Sequence, residues 1–316
     1  MRGSFGEIPE ELKSLTRISP SGLIEFAKSP KHYHFKYIKK GYVEPSKSME
    51  LGTAAHRAVL EPDLFETEYV KKPSPEDHEG CLVTADDIKN ELIKLGLPVS
   101  GVKAVLTERL RSNSPEAKFF DDILREAIGD KKVLTESEYE TCIEIVNSIK
   151  ESEQIHNLIQ GCEKEQSCWW EHSRTGTIIN MRLDAFKRMK DGSIIAIDLK
   201  TVRSAAKRQF ERQIWENWMF IQAAMYADGI EQITGNKCEH FGWLAAENSY
   251  PYSVEFYAAD FGLLEAGRQT YNKLLDQFLE CKRINKWPSA NGGKITNVSF
   301  PHWAWDKLVE WNNDQL

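Results

Sequence analysis

Residues 178–201 read IINMRLDAFKRMKDGSIIAIDLKT, Ile178 to Thr201. Two apolar runs rich in β-branched residues flank Lys190-Asp191-Gly192, a turn signal, so the stretch predicts a β-hairpin. Side chains alternate across a strand, which sets Ile195, Ile197 and Leu199 on one face and Ala196, Asp198 and Lys200 on the other. Asp198 and Lys200 thus point the same way on a strand too apolar to lie at the surface. Asp184, at the end of the partner strand, bears on what that face can do. A two-residue turn at Asp191-Gly192 would pair Ala185 with Asp198 and send Asp184 to the wrong face. A three-residue loop, Lys190 to Gly192 with Gly192 at positive φ, pairs Asp184 with Asp198 instead, and only this loop satisfies turn chemistry and site together. Two carboxylates and an ammonium converging at a hairpin base can bind a divalent cation and activate a water. The bland alternative is an edge hairpin whose charges are solvated.

At 316 residues with a net charge of −7, the chain is large enough for an ample core and is no generally basic nucleic-acid binder. An acidic balance still suits DNA if the carboxylates cluster on metal and the basic residues line one groove. Six cysteines show neither CxxC nor zinc spacing, which reads as buried free thiols in a reducing compartment. No signal peptide is evident, and no apolar run approaches the ~18 residues that a membrane span needs. The expectation is a soluble, cytoplasmic protein that does not engage membranes.

Residues 1–15 are polar and read as loosely held. Ser19 or Ser21 is positioned to cap a helix bearing Leu23, Ile24, Phe26 and Ala27, which Pro30 stops. His32 to Lys40 mixes aromatics with Lys31, Lys36, Lys39 and Lys40, either a track for a phosphate backbone or a solvated basic face. MELGTAAHRAVLEPDLF predicts a helix ended by Pro62 and carrying His56, with Gly52, Ala54 and Ala55 allowing close approach of another element. Residues 63–80 have a linker's composition. Thr84 to Ser112 then forms a self-contained pair of short amphipathic helices around a GLPVSG turn. The pattern carried by Leu95, Gly96, Leu97, Pro98, Gly101, Lys103, Leu106, Arg109 and Leu110 resembles a SAP domain, a helix–turn–helix module that commonly binds duplex DNA. That resemblance makes Lys89, Lys94, Lys103, Arg109 and Arg111 candidate DNA contacts; the alternative is an insert that packs only on protein. Phe119 to Gly129 and Ser137 to Ile159 read as helices and Glu165 to Glu171 as a strand. Beyond the hairpin, Arg203, Lys207 and Arg208 form a basic segment where a scissile strand would lie. WENWMFIQAAMYADGI predicts a long amphipathic helix placing Gln222 and Tyr226 four apart on one face.

Together, LGTAAH, Glu165, MRLD, IDLKT, QAAMY, KKVLTESEYE and the tail WP…SFPHWA resemble the PD-(D/E)xK nuclease superfamily, and within it the RecE (exonuclease VIII) and lambda-exonuclease group. The resemblance covers most of the chain outside the insert. It implies that His56, Asp184 and Asp198 are metal ligands, with the Leu199 carbonyl a further one, and that Lys200 orients or deprotonates the attacking water. Glu165 would hold an outer-sphere position near a second metal, and Gln222 and Tyr226 would support the lysine and the phosphate. Leu183 departs from the family, which usually places proline before the first aspartate.

The expected architecture is α/β: a restriction-endonuclease-like core of residues 1–80 and 115–316, with a mixed central sheet flanked by helices, and a helical SAP-like insertion at 81–114. The resemblance implies an exonuclease dependent on Mg2+, with Mn2+ as substitute, that digests double-stranded DNA 5′→3′ from free ends and leaves 3′ overhangs for phage-type recombination. It implies a single-strand annealing protein as partner and a homo-oligomer. Two other readings stay open: an endonuclease of the same fold, and a non-catalytic DNA-binding recombination accessory protein.

Overall fold

The structure, a computed structural model, describes residues 3–42, 44–300, 304, 305 and 309. The chain opens with β1 (Gly3–Phe5) and β2 (Arg17–Ile18), then α1 (Pro20–Lys28), α2 (Pro30–Tyr33) and a π-helical turn (His34–Ile38). The Ser19 hydroxyl accepts from the Gly22 N–H at 3.1 Å and caps α1, with Pro20 at the first helical position. Next come α3 (Lys47–Leu60), α4 (Pro62–Glu68) and β3 (Tyr69–Lys71), followed by α5 (Ala85–Lys94) and α6 (Lys103–Asn113), the helices of the expected insert. Then α7 (Phe120–Ile128), β4 (Lys132–Leu134), α8 (Glu136–Glu151) and α9 (Glu153–Ile159) lead into β5 (Glu163–Glu171), β6 (Ile178–Arg188) and β7 (Ile194–Val202). α10 (Lys207–Glu216) and α11 (Met219–Thr234) cross to β8 (Cys238–Glu247), β9 (Val254–Ala258) follows, and α12 (Phe261–Ile284) closes the core.

Seven strands make one sheet in the order β1-β5-β6-β7-β8-β9, with β2 beside β6. It is mixed: β5 and β6 pair antiparallel, as do β6 and β7, whereas β2 is parallel to β6 and β7 to β8, the latter pair needing the helical crossover. Helices cover both faces. Residues of α1, α10, α11 and α12 bury Leu23, Phe26, Phe210, Phe220 and Phe278 against one face, while α3, α8 and α9 bury Ala54, Ala55, Ile145 and Ile155 against the other. α11 lies between the sheet and α12, so most of its first three turns is buried, with Ile221, Ala223, Ala224 and Met225 fully so. The fold is the α/β class expected, with a mixed sheet flanked by helices.

The hairpin closes through the odd loop. Met189 N–H donates to Ser193 O at 2.8 Å, Gly192 N–H donates to Met189 O at 3.0 Å, and Gly192 takes φ +87°. Strand pairing runs from Arg188 opposite Ile194 to Ala185 opposite Ile197, the register that sets Asp184 against Asp198. The insert helices enclose their own small core of Ile88, Leu92, Leu106, Leu110 and Phe119. Thr84 and Asp87 cap α5 reciprocally, and Gly96 ends the α5 turn at φ +69°. Leu82 N–H donates to Lys118 O at 2.8 Å and Phe120 N–H to Leu82 O at 3.0 Å, so the two ends of the insert meet.

Several expectations need correction. Residues 63–80 are not a linker: Pro62 starts α4, and β3 pairs in parallel with β4 across the insert. The N-terminal stretch is tied down, with Gly3–Phe5 forming an antiparallel edge on β5. Ser137 to Ile159 is two helices that meet at Ser152, and Trp218, at φ +57°, separates α10 from α11. All six cysteines are free, but only Cys142, Cys168 and Cys238 are fully buried. Of the tail, Phe300 and Trp305 meet edge to face, while Pro301, His302 and Trp303 lie outside the described residues. No helix among the described residues is long and apolar enough to cross a membrane.

Candidate metal centre

Beyond Ala185 and Ile197 the two hairpin strands part. β6 stays on β5, Leu183 opposite Gln166, while β7 stays on β8, Asp198 opposite Trp243. The sheet therefore forks where the two aspartates stand, and backbone groups freed from the ladder need new partners. Leu199 N–H donates to Asp184 Oδ2 at 2.8 Å. The Arg182 carbonyl accepts from the Tyr226 hydroxyl at 2.9 Å. Two side chains thus hold the fork open, one from a strand and one from α11.

Asp198 is 1% exposed. Its Oδ1 accepts from Gln222 Nε2 at 2.8 Å, and its Oδ2 faces Lys200 Nζ at 2.6 Å. Gln222 and Tyr226 sit one helical turn apart, so one face of α11 serves both sides of the fork. Burial alone would pull the Lys200 ammonium down, but Asp198 and Asp184 outweigh it and hold its pKa above the usual lysine range. Burial and Asp198 push the Asp184 carboxyl up to about 8. Burial and the Lys200 ammonium lower the His56 imidazole to about 4, so it is neutral at physiological pH with a lone pair to give.

α3 brings His56 in from the opposite layer. Ala54 and Ala55 are fully buried, and a Cβ on Gly52 would lie 3.2 Å from Thr201 Oγ1, so only a small-residue helix fits this close to β7. His56 Nδ1 lies 3.7 Å from Asp184 Oδ2. Glu165 reaches the same place by a backbone irregularity. β5 pairs with β6 on either side of it, at Lys164 and Gln166, but Glu165 takes φ +52°. A left-handed conformation costs a residue with a Cβ about 1–2 kcal/mol, and such strain concentrates at functional sites. One ligand atom each from His56, Glu165 and Asp184 fall within 4.8 Å of one another. An imidazole and two hard oxygens suit a divalent cation, and the raised Asp184 carboxyl marks a place short of positive charge.

A family model described as a PDDEXK-like domain of unknown function (DUF3799) matches residues 19–298. The chain belongs to this family. Among solved structures, the PDDEXK-like chain is similar to one named "Putative exonuclease" from Eubacterium rectale, at 13% identity and TM-score 0.53, over 94% of this chain and 97% of that one. That likeness is one of fold. Weaker matches, to SSO0001 (14% identity, 74% of this chain and 88% of that one, TM-score 0.26) and to VC1899 from Vibrio cholerae (10% identity, 93% and 60%, TM-score 0.22), carry no argument. No curated protein matches.

The PDDEXK-like core brings Asp184, Asp198, Lys200, His56, Glu165, Gln222 and Tyr226 into one site. Glu165, expected in an outer position, stands in the cluster with His56 and Asp184, whereas Asp198 is engaged by Gln222 and Lys200. The backbone of Leu199 lies between Asp184 and His56, bonded to the first and acting on the second. Sequence reading missed Arg182. Its guanidinium pairs with Glu165 and lies 3.9 Å from Glu61, which in turn pairs with Arg57. Arg182 is two residues before Asp184 on the same strand, so the alternation that joined Lys200 to Asp198 also pointed to it.

The basic candidates lie elsewhere. Arg203, Lys207 and Arg208 are exposed just after β7 and in the first turn of α10. In the insert, Lys89 pairs with Asp86 at 2.9 Å and Lys94 with Glu91 at 2.6 Å. Lys103 pairs with Asp121 at 2.7 Å. Arg109 donates to the Pro98 and Ser100 carbonyls and braces the GLPVSG turn. Arg111 pairs with Asp122 and lies over the Phe119 ring, tying the insert to α7.

Proposed function

We propose that the chain is a divalent-metal-dependent deoxyribonuclease that digests double-stranded DNA from free ends, 5′→3′, leaving 3′ overhangs for recombination. The observation that carries the reading is the His56–Glu165–Asp184 cluster beside the Lys200–Asp198 pair at the mouth of the sheet fork. His56, Glu165 and Asp184 would hold the cation, Mg2+ or its substitute Mn2+, with Asp198 at its edge. When bound, the cation supplies charge that neutralises a phosphoryl oxygen and acidifies a water.

The remaining work falls to the chain's own groups. Phosphodiester hydrolysis needs an attacking water held in line and donors aimed at the developing charge. Lys200, charged and placed by Asp198, orients the water and donates to a phosphate oxygen. Gln222 fixes the Asp198 carboxylate so that the ammonium has one position rather than several. Tyr226, whose phenol is raised far above its ordinary range by burial and by Asp198, remains a donor and keeps the fork open. Arg182 is close enough to Glu165 to trade that partner for a phosphate.

On this reading Arg203, Lys207 and Arg208 meet the strand beyond the site. The SAP-like insert adds grip on duplex, chiefly through Lys89 and Lys94, whose exposed i,i+3 partners release them at little cost. A single-strand annealing protein would take the product, and a homo-oligomer would keep the enzyme on its track. The test is digestion of linear and closed-circular duplex with Mg2+ or with EDTA. Mononucleotides from linear DNA alone, in Mg2+ alone, support the reading. Cutting of closed circles would make the protein an endonuclease, and no cutting at all would make it a DNA-binding accessory.

A further inference from the structure

The segment between α1 and α3 exposes several large apolar side chains close together in the chain. Phe35 is 51% exposed, Tyr37 36%, Ile38 48% and Tyr42 81%. Scattered exposed apolar residues need no explanation, but Phe35, Tyr37 and Ile38 sit on one π-helical turn, a rare conformation that recurs at functional sites, and Tyr42 follows four residues beyond it. The rings are held. Lys39 N–H donates to His34 O and Gly41 N–H to Phe35 O, both at 2.9 Å, which folds the chain back under Phe35. Gly41 lies so close beneath the Phe35 ring that a Cβ there would strike three of its carbons. Lys40 joins the two in a left-handed conformation, φ +51°.

Beneath lies a stack of aromatic rings. Tyr37 lies on Tyr33 with centroids 5.1 Å apart and planes 21° apart. Tyr33 lies on Trp287 at 5.7 Å and 27°, and His34 lies on Trp287 at 5.1 Å and 18°. Phe26 and Phe278 brace the stack edge-on. Lys36 Nζ hovers over the Tyr37 ring at 5.4 Å. Along this segment the charge has one sign. From Phe26 to Tyr42 the sequence holds Lys28, Lys31, Lys36, Lys39 and Lys40 and neither Asp nor Glu, in a chain of net charge −7. Of these lysines only Lys36 meets a carboxylate among the described residues, Glu25 at 3.8 Å.

We propose that this platform binds single-stranded nucleic acid, with bases on Phe35, Tyr37 and Tyr42 and phosphates on the lysines. Flat apolar faces spaced along a polyanion are what the surface complements. Every base has such a face, but a duplex hides it inside the stack, so the single strand is favoured. An anionic membrane would also answer the lysines, yet fixed ring planes suit stacking better than insertion into acyl chains. If the proposed nuclease reading holds, the platform keeps hold of the strand that digestion leaves behind. The proposal does not depend on that reading.

The experiment uses the full chain in EDTA, where no cleavage occurs, and measures anisotropy of labelled oligo-dT of roughly 20 nucleotides, longer than a typical ~4–16 nucleotide site. The comparison is a blunt-ended hairpin duplex. Phe35→Ala and Tyr42→Ala are each expected to weaken oligo-dT binding about tenfold, with duplex affinity unchanged, and Phe35→Trp to restore it. Replacing Lys31, Lys39 and Lys40 by Gln should flatten the salt dependence by about two in log–log slope, at roughly 0.7 per lost phosphate contact. The altered side chains are exposed, so an unchanged melting temperature certifies the variants. Parent-like oligo-dT binding by both aromatic variants would overturn the proposal. So would equal losses on duplex and single strand, or binding to phosphatidylserine vesicles without binding to oligo-dT. A chain that binds oligo-dT through these rings but cuts nothing in Mg2+ would defeat the nuclease reading and leave this one standing.

Discussion

The Asp184 carboxyl is the most expensive group in the fork, and replacing it should make the metal-free protein more stable. Its pKa rises from 3.8 to about 8 because it is buried beside Asp198. A folded pKa above the unfolded one means that the proton is held more tightly in the folded state. Relative to the neutral carboxyl, stability is then full below about pH 4 and is lost progressively as pH rises toward 8. At pH 7 the gap spans about three pH units at ~1.4 kcal/mol each, an upper limit near 4 kcal/mol, and relaxation around the site leaves on the order of 2–4 kcal/mol. Asp184→Asn keeps an oxygen for the Leu199 N–H without the charge. In EDTA at pH 7–8 the variant should therefore melt above the parent, by about 4–8 °C at roughly 2 °C per kcal/mol. The gain should vanish near pH 4. Added Mg2+ should reverse the order, since it stabilises only a protein that binds it, by about 2.7 kcal/mol at a hundredfold excess over Kd. Thermal melts of both proteins across pH 4–9, with EDTA or Mg2+, decide the matter. A variant less stable than the parent in EDTA at pH 8, or equally stabilised by Mg2+, would refute the reasoning.

Other consequences are as direct. His56→Ala should weaken Mg2+ affinity at neutral pH by about tenfold or more and leave DNA affinity in EDTA unchanged, with Mn2+ restoring part of the activity; metal titrations followed by cleavage rate report it. Because the His56 imidazole is held down near pKa 4, the parent should also lose stability relative to this variant as pH falls from about 6.5 to 4. At position 165 the usual helix and strand preference should invert: Glu165→Gly should be more stable than Glu165→Ala by about 0.5–1 kcal/mol in chemical denaturation, since only glycine takes φ +52° freely. Replacing residues 83–118 by a short Gly/Ser linker should leave the melting temperature and single-turnover cleavage nearly unchanged, because Leu82 and Phe120 already meet. Duplex affinity should fall and lose part of its salt dependence, as measured by titration at several salt concentrations.

Much of the site was legible because it depends on local rules. Period-two alternation put Asp198 and Lys200 together, and Gly192 was the one loop residue able to take the positive φ that sets Asp184 opposite Asp198. Ser19 and Thr84 cap helices for equally local reasons. What escaped was non-local. β3 and β4 are three residues each, and they pair across the intervening insert, so neither has a partner in its own neighbourhood to announce it. Pro62 was read as a stop when it also starts a helix, the two roles being indistinguishable without knowing where the chain turns. The inner position of Glu165 depends on one left-handed residue inside a strand, which no side-chain pattern encodes. Arg182 was readable, but its pairing with Glu165 depends on that same residue. Lys103 and Arg111 looked free in sequence because their partners, Asp121 and Asp122, come from the next helix.

The central claim is that the fork is a hydrolytic site, and single-turnover digestion of end-labelled linear duplex tests it most directly. With Mg2+ the parent should shorten the duplex from its ends, and EDTA should stop it. Lys200→Ala and Asp198→Ala should each slow the reaction by at least ~10³, about 4 kcal/mol of transition-state stabilisation, while binding the same duplex in EDTA as tightly as the parent. Near-parent digestion by either variant in Mg2+ would contradict the account.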